Sequence, residues 1–343
     1  MDSDVVATVA DELFESGADP DRQPDRQPDR QHGVSLALVV VHRGRLVHER
    51  YGTIPAGVFA PDTPVNATTP LISWSMAKSI THALTGLAVS DGLLNIDDPT
   101  GLADWAQDSR SEITSRHLLQ MRDGLDFVED YVIGADGSAQ SDVIAMLFGE
   151  GTADVAAYAR SRPAKYPPGS FWSYSSGTTN ILSSVLGRSL GGREQFETFM
   201  KERLFAKIGM NSAAPTFDAA GTFIGSSYVH ATAEDFARFG YLYLRGGLWD
   251  GDRILDASWV DDARRQHATD PDSGHGYGAH WWIWSSRPGT LAALGYEGQR
   301  TIVDYERDLV VVHLGKWPTE TQPALDAALT RIIEAFPKES GRN

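Results

Sequence analysis

Apolar residues near the start of the chain recur at helical spacing and then give way to a polar repeat. Residues 4–16 are predicted to form an amphipathic helix because their apolar side chains fall on one face: Val5, Val6, Val9 and Leu13. Three copies of Pro-Asp-Arg-Gln follow, beginning at Pro20, Pro24 and Pro28. This repeat has nothing apolar to bury, so residues 1–33 are predicted to be a terminal helix and a solvated linker.

The hydrophobic period changes to that of β-structure between Val34 and Tyr51. A run of apolar residues precedes a turn at Arg43–Gly44, and Leu46 and Val47 lead the return, which indicates a hairpin. Strand patterns come back in the last quarter of the chain, at Tyr277–Trp284, Leu291–Leu294, Thr301–Val303 and Leu309–Leu314. A closing helix is predicted over Gln322–Phe336, with Leu325, Leu329, Ile332 and Ile333 on one face.

Residues from about 73 to 244 read mostly as helices joined by Gly, Pro and Asp turns. One helix begins at Thr232 with Asp235 three residues later as a capping box, and Gly246–Gly247 lie beyond its end. Strands near both ends and helices between them predict an α/β (α+β) fold. We expect an antiparallel sheet covered by the terminal helices, with a sheet lobe of residues 34–68 and 248–343 and an inserted helical lobe of residues 69–247. A site is expected in the cleft between the lobes.

Composition narrows the functional classes. The 343 residues are 41% hydrophobic, as in a globular protein with a core, and carry a net charge of −16 without any long run of Lys or Arg. Nucleic-acid binding needs a basic surface, so we exclude it. Cysteine is absent and the ten histidines are scattered, so neither a metal site nor a cofactor is predicted. With no secretion signal and no apolar run of membrane length, the expected protein is cytoplasmic and makes no membrane contact. Its assembly is left open between monomer and homodimer.

The strongest chemical signal is Ser75-Met76-Ala77-Lys78, which opens a predicted amphipathic helix. Ser75 would lie in the first helical turn, and Lys78 one turn later on the same face. A serine hydroxyl needs a base to become a nucleophile, and a desolvated lysine can be neutral near pH 7. The same spacing also arises from a capping serine and a surface lysine, so alone it is weak.

Two further segments carry candidate residues. Phe171-Trp172-Ser173-Tyr174-Ser175-Ser176-Gly177 follows a Pro-Pro-Gly turn. Tyr174, its pKa lowered beside an ammonium, could relay protons, and Ser176 could bind the lysine or the substrate. In Ala293-Leu294-Gly295-Tyr296-Glu297-Gly298-Gln299, glycines at a strand edge let the backbone approach a ligand and present an N–H to an oxyanion. The alternative interpretations are that Tyr174 is a buried tyrosine without a catalytic role, and that residues 293–299 are a plain glycine-bearing strand.

In this order, the three segments resemble the penicillin-recognising serine hydrolases with their S-x-x-K, S-D-N and K-T-G motifs. The likeness is greatest to the class C-like branch, and within it to the 6-aminohexanoate-dimer hydrolases and related esterases. Residues 73–79, 129–131, 232–238 and 295–299 carry it, and it extends from about Val34 to the closing helix. The resemblance implies a β-lactamase/transpeptidase-like fold and a small-molecule amide or ester as the partner.

The resemblance also implies roles for individual residues. Ser75 would be the acylated nucleophile, Lys78 its base and Tyr174 the general acid and base, with the N–H groups of Ser75 and Tyr296 binding the oxyanion. The substrate-binding candidates are Tyr131 on a mobile loop, Asp142 facing a substrate amino group, Trp282 in the acyl pocket, and Ser176, Ser226 and Gly295. Trp281 is expected to be core, because neighbouring strand residues face opposite ways.

Two departures from the family pattern change the expected substrate. Ala293-Leu294-Gly295 lacks the lysine of K-T-G, which helps hold a β-lactam carboxylate, and Ser176 replaces an asparagine. Both changes favour an amidase or esterase over a β-lactamase or D,D-peptidase. A non-catalytic binding or sensor protein on the same fold is the alternative from another class, although it would not need the acid–base groups.

Overall fold

The computed structural model describes residues 1–15, 33–57, 61–130, 132–133 and 139–339. The predicted Pro-Asp-Arg-Gln linker lies outside the described residues, as do Tyr131 and most of the loop after it.

The helices follow the predicted distribution, with one near each end and the others between. They are α1 Ser3–Glu15, α2 Ala77–Ser90, α3 Ser115–Leu119, α4 Asp142–Phe148, α5 Val155–Arg160, α6 Ser176–Leu190, α7 Arg193–Phe199, α8 Ala233–Leu244, α9 Ala257–Arg264 and α10 Gln322–Glu334. Short 3-10 turns occupy Trp74–Met76, Ala103–Trp105, Ser109–Glu112, Tyr296–Gly298 and Thr319–Thr321, and a π-helical turn occupies Met200–Phe205.

The longer strands lie near the two ends of the chain, and two- and three-residue strands are scattered between them. They are β1 Val34–His42, β2 Arg45–Tyr51, β3 Thr53–Ile54, β4 Thr63–Pro64, β5 Leu71–Ile72, β6 Val132–Ile133, β7 Ala139–Gln140, β8 Ala214–Pro215, β9 Val229–Ala231, β10 Leu248–Trp249, β11 Asp252–Arg253, β12 Ala268–Thr269, β13 Gly276–Tyr277, β14 Trp282–Ile283, β15 Leu291–Gly295, β16 Gln299–Asp304 and β17 Leu309–Lys316.

Eight of these strands form one antiparallel sheet in the order β12-β13-β14-β15-β16-β17-β1-β2. The chain ends are joined by the β1–β17 pair, which extends from Val34 opposite Lys316 to His42 opposite Leu309, with a shift of register between Ser35 and Ala37. The predicted α+β fold, with its antiparallel sheet drawn from both ends, is confirmed.

Each face of this sheet is covered, which explains the continuous apolar run in β1. Leu38 and Val40 point toward α1 and α10, where they pack with Val9 and Leu329. Their neighbours Ala37 and Val39 point to the other face and join the core under α2 and α8. A strand buried on both faces reads as an uninterrupted hydrophobic run. The terminal helices therefore cover one face, as predicted, and central helices cover the other.

A separate apolar core lies among the helices in the middle of the chain, built largely from α3 to α6 and including Trp105, Phe127, Met146 and Leu182. A small sheet in the order β5-β9-β8 includes β5, which directly precedes the turn that leads into α2. Among the described residues, no helix combines the length and hydrophobicity needed to cross a membrane.

The predicted strand Tyr277–Trp284 is in fact a hairpin. It divides into β13 and β14, whose connection is closed by the Gly278 N–H donating to the Trp281 carbonyl at 2.9 Å. His280 has a φ of 55° in this connection, which no continuous strand can contain. Apolar patterning on both sides of the turn concealed it, because buried strands and their turns are equally hydrophobic here.

Candidate active site

Ser75 lies in the 3-10 turn Trp74–Met76, which runs directly into α2. The turn packs against β15 and β16 of the large sheet. Trp74 has a φ of 43°, a conformation that is uncommon for a residue other than glycine. Such strain at the residue before Ser75 is typical of a functional turn. The Ser75 side chain is half-buried and remains open to the cleft.

Lys78, the second residue of α2, is 2% exposed and points back at Ser75. Its Nζ donates to Ser75 Oγ at 3.0 Å, to Ser176 Oγ at 3.0 Å and to the Ser226 carbonyl at 3.1 Å. Burial lowers the pKa of Lys78 to about 8, although the nearby Glu129 carboxylate opposes this shift. At pH 7 about one molecule in ten therefore carries the neutral amine that could act as a base.

Glu129 forms the rear of this cluster. Its two carboxylate oxygens accept from Ser176, one from the hydroxyl and one from the backbone N–H, both at 2.6 Å. Burial raises the pKa of Glu129, while the positive charge of Lys78 and the two hydrogen bonds hold it down. Glu129, Ser176 and Lys78 thus form one connected chain that ends at Ser75.

Tyr174 lies in the loop that ends at the start of α6, with its ring centroid 4.7 Å from Lys78 Nζ. It is hydrogen-bonded to Ser75 and to Trp282. The expectation of a lowered pKa is wrong. Burial and the negative charge of Glu129 raise the pKa of Tyr174 well above its usual value, since these effects exceed that of its two hydrogen bonds. Tyr174 is therefore a neutral phenol at physiological pH, able to donate a proton.

Gly295, the last residue of β15, brings the sheet edge against the Ser75 turn. A Cβ at this position would lie 2.5 Å from the Ser73 carbonyl oxygen and 3.2 Å from the Ser75 nitrogen. Only glycine fits without displacing one of the two segments. Arg300, which is 3% exposed, holds the strand end by donating to the Gly295 carbonyl at 3.1 Å. The backbone after Gly295 thus lies beside the Ser75 N–H, as an oxyanion site would require.

Aromatic rings form one wall of the site. Trp282 is half-buried, with its ring centroid 5.1 Å from that of Tyr174 and 4.9 Å from that of Tyr277. Trp281 is fully buried on the opposite side of the sheet, against Tyr243 and Phe239. Trp281 is core, as expected, but it lies in the turn before β14, so alternation along one strand is not the reason.

A second group of rings surrounds Trp74 at the mouth of the cleft. Its ring centroid lies 5.8 Å from Tyr228, 5.8 Å from Tyr296 and 6.4 Å from Phe148. Tyr296 and Phe148 are 60% and 59% exposed, so they present apolar surface to an incoming molecule. Sequence reasoning assigned no role to Trp74 or Phe148, because these residues come together from separate parts of the chain.

The remaining predicted residues occupy different positions. Ser176 and Ser226 are buried, and both contact Lys78 in place of an open surface of the cleft. The Asp142 carboxylate accepts from the Val128 N–H at 2.8 Å, the Tyr158 hydroxyl at 2.8 Å and Arg162 at 3.0 Å. These contacts use both oxygens of Asp142 in tying α4 to α5, so a substrate amine would have to compete with Arg162.

Glu129 is the contact that sequence reasoning missed. The sequence shows it two residues before Tyr131, but Ser176 lies 47 positions away and gives no local pattern that pairs the two. Within the described part of the chain, no group of His, Asp and Glu side chains is arranged to hold a metal ion.

This chain is similar to known proteins in sequence and in fold. The family model described as Beta-lactamase matches residues 11–335. A 6-aminohexanoate-dimer hydrolase from Paenarthrobacter ureafaciens is 27% identical over 265 residues, which cover 71% of this chain and 65% of that protein. The match thus spans slightly less than two thirds of the relative's own length.

Two solved structures share the fold. A Bacillus anthracis protein assigned to the 6-aminohexanoate-dimer hydrolases superposes with a TM-score of 0.71 at 22% identity, covering 89% of this chain and 81% of the other. A family VIII carboxylesterase superposes with a TM-score of 0.67 at 15% identity, covering 88% and 92% of the respective chains.

Proposed function

Because the chain belongs to the beta-lactamase family, we propose that it is a serine hydrolase that cleaves amide or ester bonds of small molecules through an acyl-enzyme on Ser75. The observation that carries this proposal is the buried Lys78 amine, 3.0 Å from Ser75 Oγ and with its pKa lowered to about 8. A lysine that served only as a surface charge would not be desolvated beside a serine hydroxyl.

Acylation begins when Ser75 Oγ bonds to the substrate carbonyl carbon and its proton passes to Lys78 Nζ. The carbonyl oxygen becomes an oxyanion, for which the backbone N–H groups of Ser75 and Tyr296 are the proposed donors. The bond to the leaving group then breaks as Tyr174 gives it a proton. Lys78 returns a proton to the Tyr174 oxygen, which restores both groups.

Deacylation repeats these steps with water as the nucleophile. Water adds to the acyl carbon, its proton passes to the basic Tyr174–Lys78 pair, and the ester bond to Ser75 breaks. Ser75 Oγ recovers the proton, and the carboxylic acid leaves. No metal or cofactor takes part in these steps.

The candidate substrate class is small amides and esters with an apolar acyl group. Trp282 and Tyr277 offer an apolar wall beside Tyr174, and the exposed rings around Trp74 extend it to the surface. The relative from Paenarthrobacter ureafaciens is named for 6-aminohexanoate dimers, which supports testing linear amides beside esters. Cleavage of β-lactams or D,D-peptides remains the less favoured alternative, because the K-T-G lysine is absent. The cytoplasmic location stays a prediction, as does the homodimer as a candidate assembly.

The test is steady-state hydrolysis of p-nitrophenyl butyrate by the wild type and by Ser75→Ala, purified identically. Loss of one oxyanion donor costs about 100- to 1000-fold in other hydrolases, so loss of the nucleophile should cost at least as much. Turnover that survives in Ser75→Ala would refute the assignment. Acylation of the wild type seen by intact mass, without turnover of esters or amides, would instead identify a sensor on the same fold.

A further inference from the structure

The three hydrogen-bond partners of Lys78 differ in whether they can donate a hydrogen to it. As an ammonium, Lys78 donates three hydrogens to three acceptors: Ser75 Oγ, Ser176 Oγ and the Ser226 carbonyl. Once neutral, it keeps two hydrogens and gains a lone pair, which needs a partner that donates. A carbonyl has no hydrogen, so Ser226 cannot be that partner.

Ser176 is excluded as a donor by Glu129. The single hydroxyl hydrogen of Ser176 is directed to Glu129 Oε1 at 2.6 Å, a distance typical of a charge-assisted bond. The backbone N–H of Ser176 occupies the other oxygen at 2.6 Å, so both oxygens act as acceptors. Ser176 can therefore only accept from Lys78, and the hydroxyl of Ser75 is left to face the lone pair.

We propose that Glu129 is a positioning residue: by holding the hydroxyl hydrogen of Ser176, it directs the lone pair of neutral Lys78 to Ser75. The inference rests on the proposed serine hydrolase function. Glu129 acts on the direction of the lone pair through Ser176, and its charge acts separately by raising the pKa of Lys78. Its contribution is to remove a competing donor that would otherwise occupy the base.

The titratable groups around Lys78 do not compete with Glu129 for the hydroxyl hydrogen of Ser176. Burial raises the pKa of both Tyr174 and Tyr277, which face the cluster as neutral phenols. Burial lowers the pKa of His280, behind Lys78, to about 3, so this imidazole is neutral. Asp130 is exposed and opposes ionisation of Glu129. Glu129 is thus the carboxylate that is hydrogen-bonded to the partner of Lys78.

Glu129→Gln exchanges donor and acceptor in the hydrogen bond to Ser176 Oγ, while the side chain keeps its shape. The backbone N–H of Ser176 requires an acceptor, so the glutamine oxygen takes that side and the amide NH₂ donates to Ser176 Oγ. The hydroxyl hydrogen of Ser176 is then free to occupy the Lys78 lone pair. We expect kcat for p-nitrophenyl butyrate to fall at least about tenfold on the high-pH plateau, a part of what a general base contributes.

The pH profile separates this effect from loss of charge. Glu129 raises the pKa of Lys78, so its removal moves the acid limb of the profile to lower pH in either case. A residue acting through charge alone would leave the plateau as high as in the wild type. A plateau equal to that of the wild type therefore overturns the positioning role.

A double-mutant cycle with Ser176→Ala provides the second test. Without the hydroxyl, the competing donor does not exist, so Glu129→Gln should change the plateau less than about threefold in that background. An equal loss in both backgrounds overturns the proposal. Ser75→Ala is measured in parallel. If it retains turnover, the proposed serine hydrolase function is wrong. If it has no turnover, that function stands and the double-mutant cycle tests the role of Glu129.

Thermal unfolding of each variant shows whether it folds. If Glu129→Gln does not fold, Ser176→Ala decides alone, because it removes only one hydroxyl. It should lose less activity than Lys78→Ala, since Ser75 remains the donor to the lone pair. A loss as large as that of Lys78→Ala would mean that Ser176 carries the proton itself, contrary to the proposal.

Discussion

Gly295 offers a direct test of whether the approach of the sheet edge to the Ser75 turn sets the rate. Gly295→Ala would place a methyl group 2.5 Å from the Ser73 carbonyl oxygen and 2.9 Å from the Gln299 side chain. Contacts below 3.0 Å are essentially never observed for a real Cβ, so the strand or the turn must move by about 0.5 Å. Both segments carry a proposed oxyanion donor.

The expected loss follows from that displacement. A shift of about 1 Å in a catalytic group can cost about 100-fold, so half of that distance should lower kcat by about 10- to 100-fold. KM should change less, because the apolar wall at Trp282 lies on another strand. The effect should appear in acylation, measured as the burst of p-nitrophenol, and in steady-state turnover of p-nitrophenyl butyrate.

Gly187→Ala is the matched control. A Cβ there meets only Phe196, at an ordinary 3.5 Å, in the interior of α6. Alanine is favoured over glycine in a helix by about 1 kcal/mol, so this variant should be slightly more stable and equally active. If Gly295→Ala folds and keeps kcat within twofold of the wild type, the close approach does not control catalysis.

Two further predictions concern charged groups of the site. Because burial lowers the pKa of Lys78 to about 8, kcat/KM should rise with pH below that value and level off above it. In Lys78→Arg, kcat/KM should be at least about 100-fold lower at every pH, since a guanidinium does not release its proton. A rate that is flat from pH 6 to 9 in the wild type would contradict this assignment. Asp142→Ala should lower the free energy of unfolding by about 1–3 kcal/mol, because Arg162 and Tyr158 lose their acceptor. It should slow an amine-bearing amide and a neutral ester equally, whereas a loss confined to the amide would assign Asp142 to the substrate amine.

The sequence predicts the parts of this molecule that depend on local spacing. The S-x-x-K pattern places Lys78 one turn after Ser75, and the side chains do meet. The uninterrupted apolar run in β1 predicts a strand buried on both faces, and the strand is buried. These outcomes follow from the helical period of 3.6 and the strand period of 2.0, which the order of residues specifies directly.

Features that depend on distant residues or on burial could not be predicted in this way. Glu129 meets Ser176 only after α6 has packed against the segment that carries Glu129. Ser226 binds Lys78 through its backbone carbonyl, a group that every residue has, so its side chain gives no signal in the sequence. The direction of the Tyr174 pKa shift also needed the structure, because Lys78 lies over the face of the ring and burial dominates. The sequence gives residue types, whereas desolvation depends on how the lobes enclose them.

The pairing of β1 with β17 has a consequence for synthesis of the protein. Ser35 on β1 and His313 on β17 are 278 positions apart and hydrogen-bond at 2.9 Å. At about 5–20 residues per second, a ribosome needs roughly 15 to 55 seconds to travel from one to the other. During that interval the hydrophobic β1–β2 hairpin lacks its partner strand and exposes an edge that can pair with other chains.

The nascent chain therefore carries the Ser75 turn long before it carries Gly295. Pairings so distant in sequence form slowly, which makes closure of the sheet the expected late step of folding. Until that step, Ser75 has no sheet edge beside it, and we expect the unfinished polypeptide to be catalytically inactive. The order of synthesis thus delays formation of the proposed oxyanion site, and it leaves the apolar β1–β2 hairpin without its partner strand until β17 has been made.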